Sequence, residues 1–146
     1  MKDCGEFVIL GTSEKLTVKV FSTQGFSADS SNHDWLEVQV TAQTNWFRAG
    51  FRESIMPWEL AAFRRDLQKM HTELKGEAGW KAVENFIDLK AVMDKMGHIR
   101  WSVELIHISD SMDTLYFGMD SDQSYLPALL DQIDAILTAA LEHEDP

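Results

Sequence analysis

Four aspartates towards the C-terminal end, Asp110, Asp113, Asp120 and Asp122, are the residues of this 146-residue chain best placed to do chemistry. Oxygen-rich clusters of this kind hold calcium or magnesium through several carboxylates at once. The calcium-loop pattern is not met, because Asp120-Ser121-Asp122-Gln123-Ser124-Tyr125 puts Tyr where the sharp turn of such a loop needs Gly. Asp122 also has a use that needs no metal: a carboxylate just ahead of a helix accepts its free N–H groups and favours its positive end. The four are therefore taken as candidate partner contacts, with no metal ligand set assigned. A small metal-binding module or enzyme built on the same carboxylates is the alternative.

The other reactive side chains show no working spacing. His33, His71, His98, His107 and His143 include no His-x-His or His-x-x-x-His pair, and the single cysteine, Cys4, has no second thiol to join. Neither a nucleophile elbow, nor a phosphate-cradling glycine loop, nor a dinucleotide fingerprint occurs, so no catalytic residue and no cofactor are assigned. Trp46 lies beside Arg48 and Arg52, and an exposed Trp-Arg patch is a common kind of binding hot spot. A second core layer over that face would explain the same residues.

Charge is distributed unevenly. Residues 1–100 hold 14 acidic and 13 basic side chains, whereas residues 101–146 hold 10 acidic side chains and no Lys or Arg. A field of that sign repels nucleic acid and anionic lipid and attracts a basic protein, although it also serves plain solubility. One cysteine, no apolar run at the N-terminus and no window of about 18 apolar residues fit a cytoplasmic protein without a membrane span.

The elements that must carry these residues follow from periodicity. Phe7–Leu10 and the alternating Leu16, Val18 and Val20 read as a hairpin across Gly11-Thr-Ser-Glu, followed by a polar loop at residues 22–33. Leu36, Val38, Val40 and Ala42 form the inward face of the next strand. The fourth, Asn45–Glu53, is expected to turn Phe47, Ala49 and Phe51 inward and Trp46, Arg48 and Arg52 outward. Pro57 suits a first helical position, and Leu60, Phe63, Leu67, Met70 and Leu74 follow on one stripe, with Glu59 off it and Gly76 as the stop.

Trp80–Val83 and Phe86–Val92 then read as strands, Ile99, Trp101, Val103 and Leu105 give the cleanest alternation, and Ser109–Asp113 turns the chain back into Leu115–Met119. The last helix carries Leu126, Leu129, Leu130, Ile133, Ile136, Leu137 and Ala140 on one stripe, with Asp131, Gln132 and Asp134 towards water. The order is ββββαββββα. It predicts a single α+β domain over 1–146, with curled antiparallel sheet or sheets packed against two helices and one half repeated topologically.

Four stretches together resemble the WapI-type immunity protein family. They are Asp34-Trp35-Leu36-Glu37-Val38-Gln39-Val40, the helix opening Trp58-Glu59-Leu60-Ala61-Ala62-Phe63, Gly97-His98-Ile99, and Met119-Asp-Ser-Asp-Gln-Ser-Tyr-Leu-Pro127. The resemblance implies a small acidic bacterial protein that neutralises a partner toxin domain by binding it, with no catalytic residues of its own.

Overall fold

The structure is a computed structural model and describes residues 1–22 and 35–142. Its elements run β1 (Lys2–Leu10), β2 (Lys15–Ser22), β3 (Leu36–Gln43), β4 (Arg48–Ile55), α1 (Pro57–Glu73), β5 (Gly76–Lys81), β6 (Ile87–Met93), β7 (His98–Ile108), β8 (Met112–Asp122) and α2 (Leu126–Glu142). The expected ββββαββββα order is found, arranged as two four-stranded antiparallel meanders, β1-β2-β3-β4 and β5-β6-β7-β8.

Period-two alternation accounts for the inward faces. Leu36, Val38, Val40 and Ala42 are buried along β3, as are Ile99, Trp101, Val103 and Leu105 along β7. An aromatic core joins both sheets to α1. Phe7 of β1 lies 6.1 Å from Phe63 and 6.2 Å from Trp80, Phe63 lies 6.5 Å from Trp101, and Phe51 of β4 meets Phe86 at 5.9 Å. Edge and tilted ring packing of this kind adds to the area term that drives burial.

Each helix covers the first strand of the sheet it does not follow. α1, which leaves the first sheet, packs on β5, and α2, which leaves the second, packs on β1. The α2 side chain of Gln132 reaches β1, where its Oε1 accepts the Val8 N–H at 2.9 Å and satisfies a donor that the sheet leaves unpaired. Sheet order leaves β4 and β8 as the other two edges.

Several expected boundaries shift, each for a local reason. β4 begins at Arg48 rather than Asn45, because Thr44–Phe47 forms a turn: the Thr44 N–H donates to the Phe47 carbonyl at 2.9 Å, and Thr44 Oγ1 accepts the Phe47 N–H at 3.0 Å. Trp46 and Phe47 consequently leave the sheet and stand 88% and 63% exposed, so Phe47 does not face inward. The segment between β5 and β6 turns at Asn85, whose φ of 60° suits its short polar side chain, and both strands move accordingly. α1 is closed by Leu74 at φ 55°, and Gly76 opens β5 instead of ending the helix. β1 starts at Lys2 through a bulge at Gly5, and β8 starts at Met112, which shortens the last hairpin turn. On α2, Gln132 and Asp134 do not simply face water; both have partners, and Glu59 of α1 is buried rather than off the apolar face. The loop expected at 22–33 lies outside the described residues, apart from Ser22 at the end of β2.

Candidate partner-binding surface

The β7–β8 hairpin fixes where the four aspartates lie. Its register pairs His98 with Asp122, Arg100 with Asp120 and His107 with Asp113, while Asp110 occupies the turn. Asp113 and Asp120 are seven residues apart on one extended strand, a span of roughly 23 Å. They form two pairs at opposite ends of the hairpin, too far apart to hold one ion at the 2.3–2.6 Å that a calcium ligand needs. Sequence proximity had suggested one cluster; a long hairpin divides it.

The pair at the α2 end lines an open cleft of about 800 Å³ together with Gly11, Asp94, His98 and Arg100. Arg100 Nη1 donates to Asp120 at 3.0 Å and 2.9 Å, and Gly118 lies under that guanidinium, where any Cβ would collide with it. Asp122 accepts the hydroxyl and the backbone N–H of Ser124, which hold its carboxyl below the usual aspartate range. Asp94 is lowered in the same way by the backbone N–H groups of His98 and Met96. Both carboxylates are held ionised by donors of their own turns. That suits a structural junction, whereas general acid or base work needs a proton poised near neutral pH.

Gly97 locks this junction. At φ 82° it takes a conformation that disfavours a side chain, its carbonyl accepts the Gln123 N–H at 2.9 Å, and the Gln123 side chain lies 3.0 Å from where a Cβ would stand. Trp101 Nε1 donates to Ser121 Oγ at 3.0 Å beside it. The Gly97-His98-Ile99 and Met119–Pro127 stretches, 20 residues apart in sequence, are thus two sides of one contact. A third stretch, the opening of α1, holds Glu59, which is 3% exposed: its Oε1 accepts from Trp80 Nε1 and the Val83 N–H, each at 3.2 Å, and its Oε2 from the Met56 N–H at 2.8 Å.

The model of the immunity protein WapI-like family matches residues 8–140. The chain belongs to that family. No curated protein matches it. The residues by which the chain resembles the family are, in the described part, mostly those that hold the β7–β8–α2 junction and the α1 opening together.

The other end of the hairpin differs. Ile108 and Met112 are register partners at its tip and are 69% and 67% exposed; Tyr116, two pleats along the same outer face of β8, is 66% exposed. Asp110 and Asp113 flank them, and among the described residues neither forms an ion pair, while Asp120 is held by Arg100 and Asp134 by Arg64. Reading Ser109–Asp113 as a turn concealed this patch. The sequence signal for it was apolar residues on both phases of the strand, Met112 and Tyr116 against Leu115, Phe117 and Met119.

The Trp46, Arg48 and Arg52 group is not one strand face. Arg48 and Arg52 share the exposed face of β4, but Trp46 belongs to the preceding turn. Arg52 donates to Glu37 Oε1 at 3.2 Å and lies 5.5 Å over the Phe21 ring, on which Lys19 also sits at 5.5 Å. Trp46, at 88% exposure, has no packed layer over it among the described residues.

Proposed function

We propose that this chain is a non-enzymatic bacterial immunity protein, resident in the cytoplasm, which neutralises a basic toxin domain by docking it on the acidic surface of residues 101–146. Family membership supports a toxin-neutralising role. The observation that carries the finer reading is the charge split, 10 acidic side chains and no Lys or Arg in the last third of the chain. Part of that charge is matched from elsewhere in the fold by Arg100 and Arg64. Of the others, Asp110, Asp113 and Asp131 face solvent. Exposed like charges with no internal cation raise the rate at which an oppositely charged partner arrives, and they do so over about 8 Å at physiological salt. The Trp46 turn is a second exposed contact that the same partner could use.

The test is binding and co-expression with the C-terminal toxin domain of whichever secreted protein is encoded upstream. The chain should restore growth of cells producing that domain. Its association rate should fall steeply from low to high ionic strength while dissociation changes little. Protection with a salt-independent association rate would remove the acidic docking surface; no binding and no protection would remove the reading as a whole.

A further inference from the structure

We propose that the open edge of β8 from Met112 to Phe117, with Ile108 and Tyr116 beside it, receives an extended basic segment of the toxin partner as a fifth strand of the second sheet; this rests on the immunity reading above. The four sheet edges are treated differently by the fold. β1 is covered by α2 and capped by Gln132, and β5 is covered by α1. β4 carries Arg48 and Arg52 outward and leans through Phe51 on Phe86 and on His107, whose ring is 5.5 Å away. Among the described residues, β8 is approached closely at its α2 end, where Gly11 packs against Met119. Along its first six residues, β7 is the one strand hydrogen-bonded to it among the described residues, while Leu115 and Phe117 pack inward against the core and leave the outer backbone edge free.

An edge of this kind presents alternate backbone N–H and C=O groups to solvent and is a ready template for another strand. Folded proteins blunt such edges, and a long exposed one with large apolar side chains marks a binding site. Six residues span roughly 20 Å, enough for a standard strand addition. Specificity then comes from the alternating side chains. The outer face offers Met112, Thr114 and Tyr116, with Ile108 across from Met112, whereas the other face offers Asp113, and Asp110 closes the end. The segment that fits alternates apolar with basic residues. A second copy of this chain fits poorly, because joining two β8 edges would bring together two surfaces that each carry the same uncompensated acidic charge.

Two decapeptides probe the edge, one alternating Lys and Val and one alternating Glu and Val, with amide hydrogen exchange of the full chain as the readout. The Lys-Val peptide should bind and slow exchange within residues 112–117, and the Glu-Val peptide should not. Asp110→Lys with Asp113→Lys should weaken binding by roughly tenfold or more. Met112→Ser with Tyr116→Ser should weaken it too, while Asp131→Asn on α2 leaves it nearly unchanged. All these positions are exposed, and an unshifted thermal midpoint checks that the fold is intact. The proposal is overturned if both peptides bind alike, if neither binds at millimolar concentration, or if the slowed amides lie elsewhere, such as at the Asp120–Asp122 cleft or on β4. Exchange measured on the complex with the toxin domain separates the two levels: binding that leaves residues 112–117 unprotected sinks the edge and keeps the immunity reading.

Discussion

Arg64 on α1 holds Asp134 on α2 in a two-pronged grip, Nε to Oδ1 at 2.8 Å and Nη2 to Oδ2 at 3.1 Å. Both side chains are partly exposed, at 31% and 49%, so solvent screens much of the attraction. The paired fork geometry still places this ion pair above an ordinary surface contact. A double-mutant cycle with Arg64→Ala and Asp134→Ala, read by urea unfolding, should give a coupling of about 0.5–1 kcal/mol. A coupling indistinguishable from zero would mean that apolar packing alone sets how the two helices meet.

Glu59 is expected to be the costliest polar side chain to remove. It is buried and accepts from three donors on three segments, the α1 entry at Met56, the β5 indole of Trp80 and the turn at Val83. Glu59→Ala strands those donors, and buried unsatisfied groups cost about 1–3 kcal/mol each, less where water can reach. Destabilisation of about 2–4 kcal/mol in chemical unfolding is predicted, because all three donors lose their acceptor together. Should Glu59→Ala prove as mild as a surface change, below about 0.5 kcal/mol, water must replace the carboxylate.

Glu59 also shows where sequence reading stops. Its stripe neighbours Leu60, Phe63 and Leu67 were legible from 3.6-residue spacing, because apolar burial is periodic. A buried carboxylate breaks that pattern, and its reason lies in donors 21 and 24 residues further on, which no local window sees. The element order and both apolar stripes were legible on the same grounds, except that Leu74, expected on the α1 stripe, is the half-exposed residue closing the helix; so was the likeness between Gly97-His98-Ile99 and Met119–Pro127 and a known family. That these two stretches touch was not. Turn chemistry decided the other differences: Thr44 closing on Phe47 moved Trp46 and Phe47 off the strand, and a short turn after Ile108 lengthened the last hairpin until its aspartates separated into two pairs.

The lowered carboxyls of Asp94 and Asp122 predict how the junction responds to acid. In the folded chain, both titrate below the usual value of 3.8, Asp94 chiefly through the His98 N–H and Asp122 chiefly through the Ser124 hydroxyl. The unfolded chain therefore binds protons first as pH falls, which favours unfolding. The stabilisation from these two groups is fully present above the unfolded value and is lost as pH drops from about 4 through the lower folded values. Asp94→Asn with Asp122→Asn keeps an oxygen acceptor at each site but removes the titration. The variant should begin less stable at neutral pH, and the gap to the parent should narrow below pH 4, as thermal midpoints measured from about pH 6 to pH 2.5 would record. Other carboxylates titrate in the same range, so the informative quantity is the difference between the two curves. A gap that stays constant with pH would mean that neither carboxylate is held ionised by its turn, and the junction would then rest on its other contacts, Gly97 with Gln123 and Trp101 with Ser121.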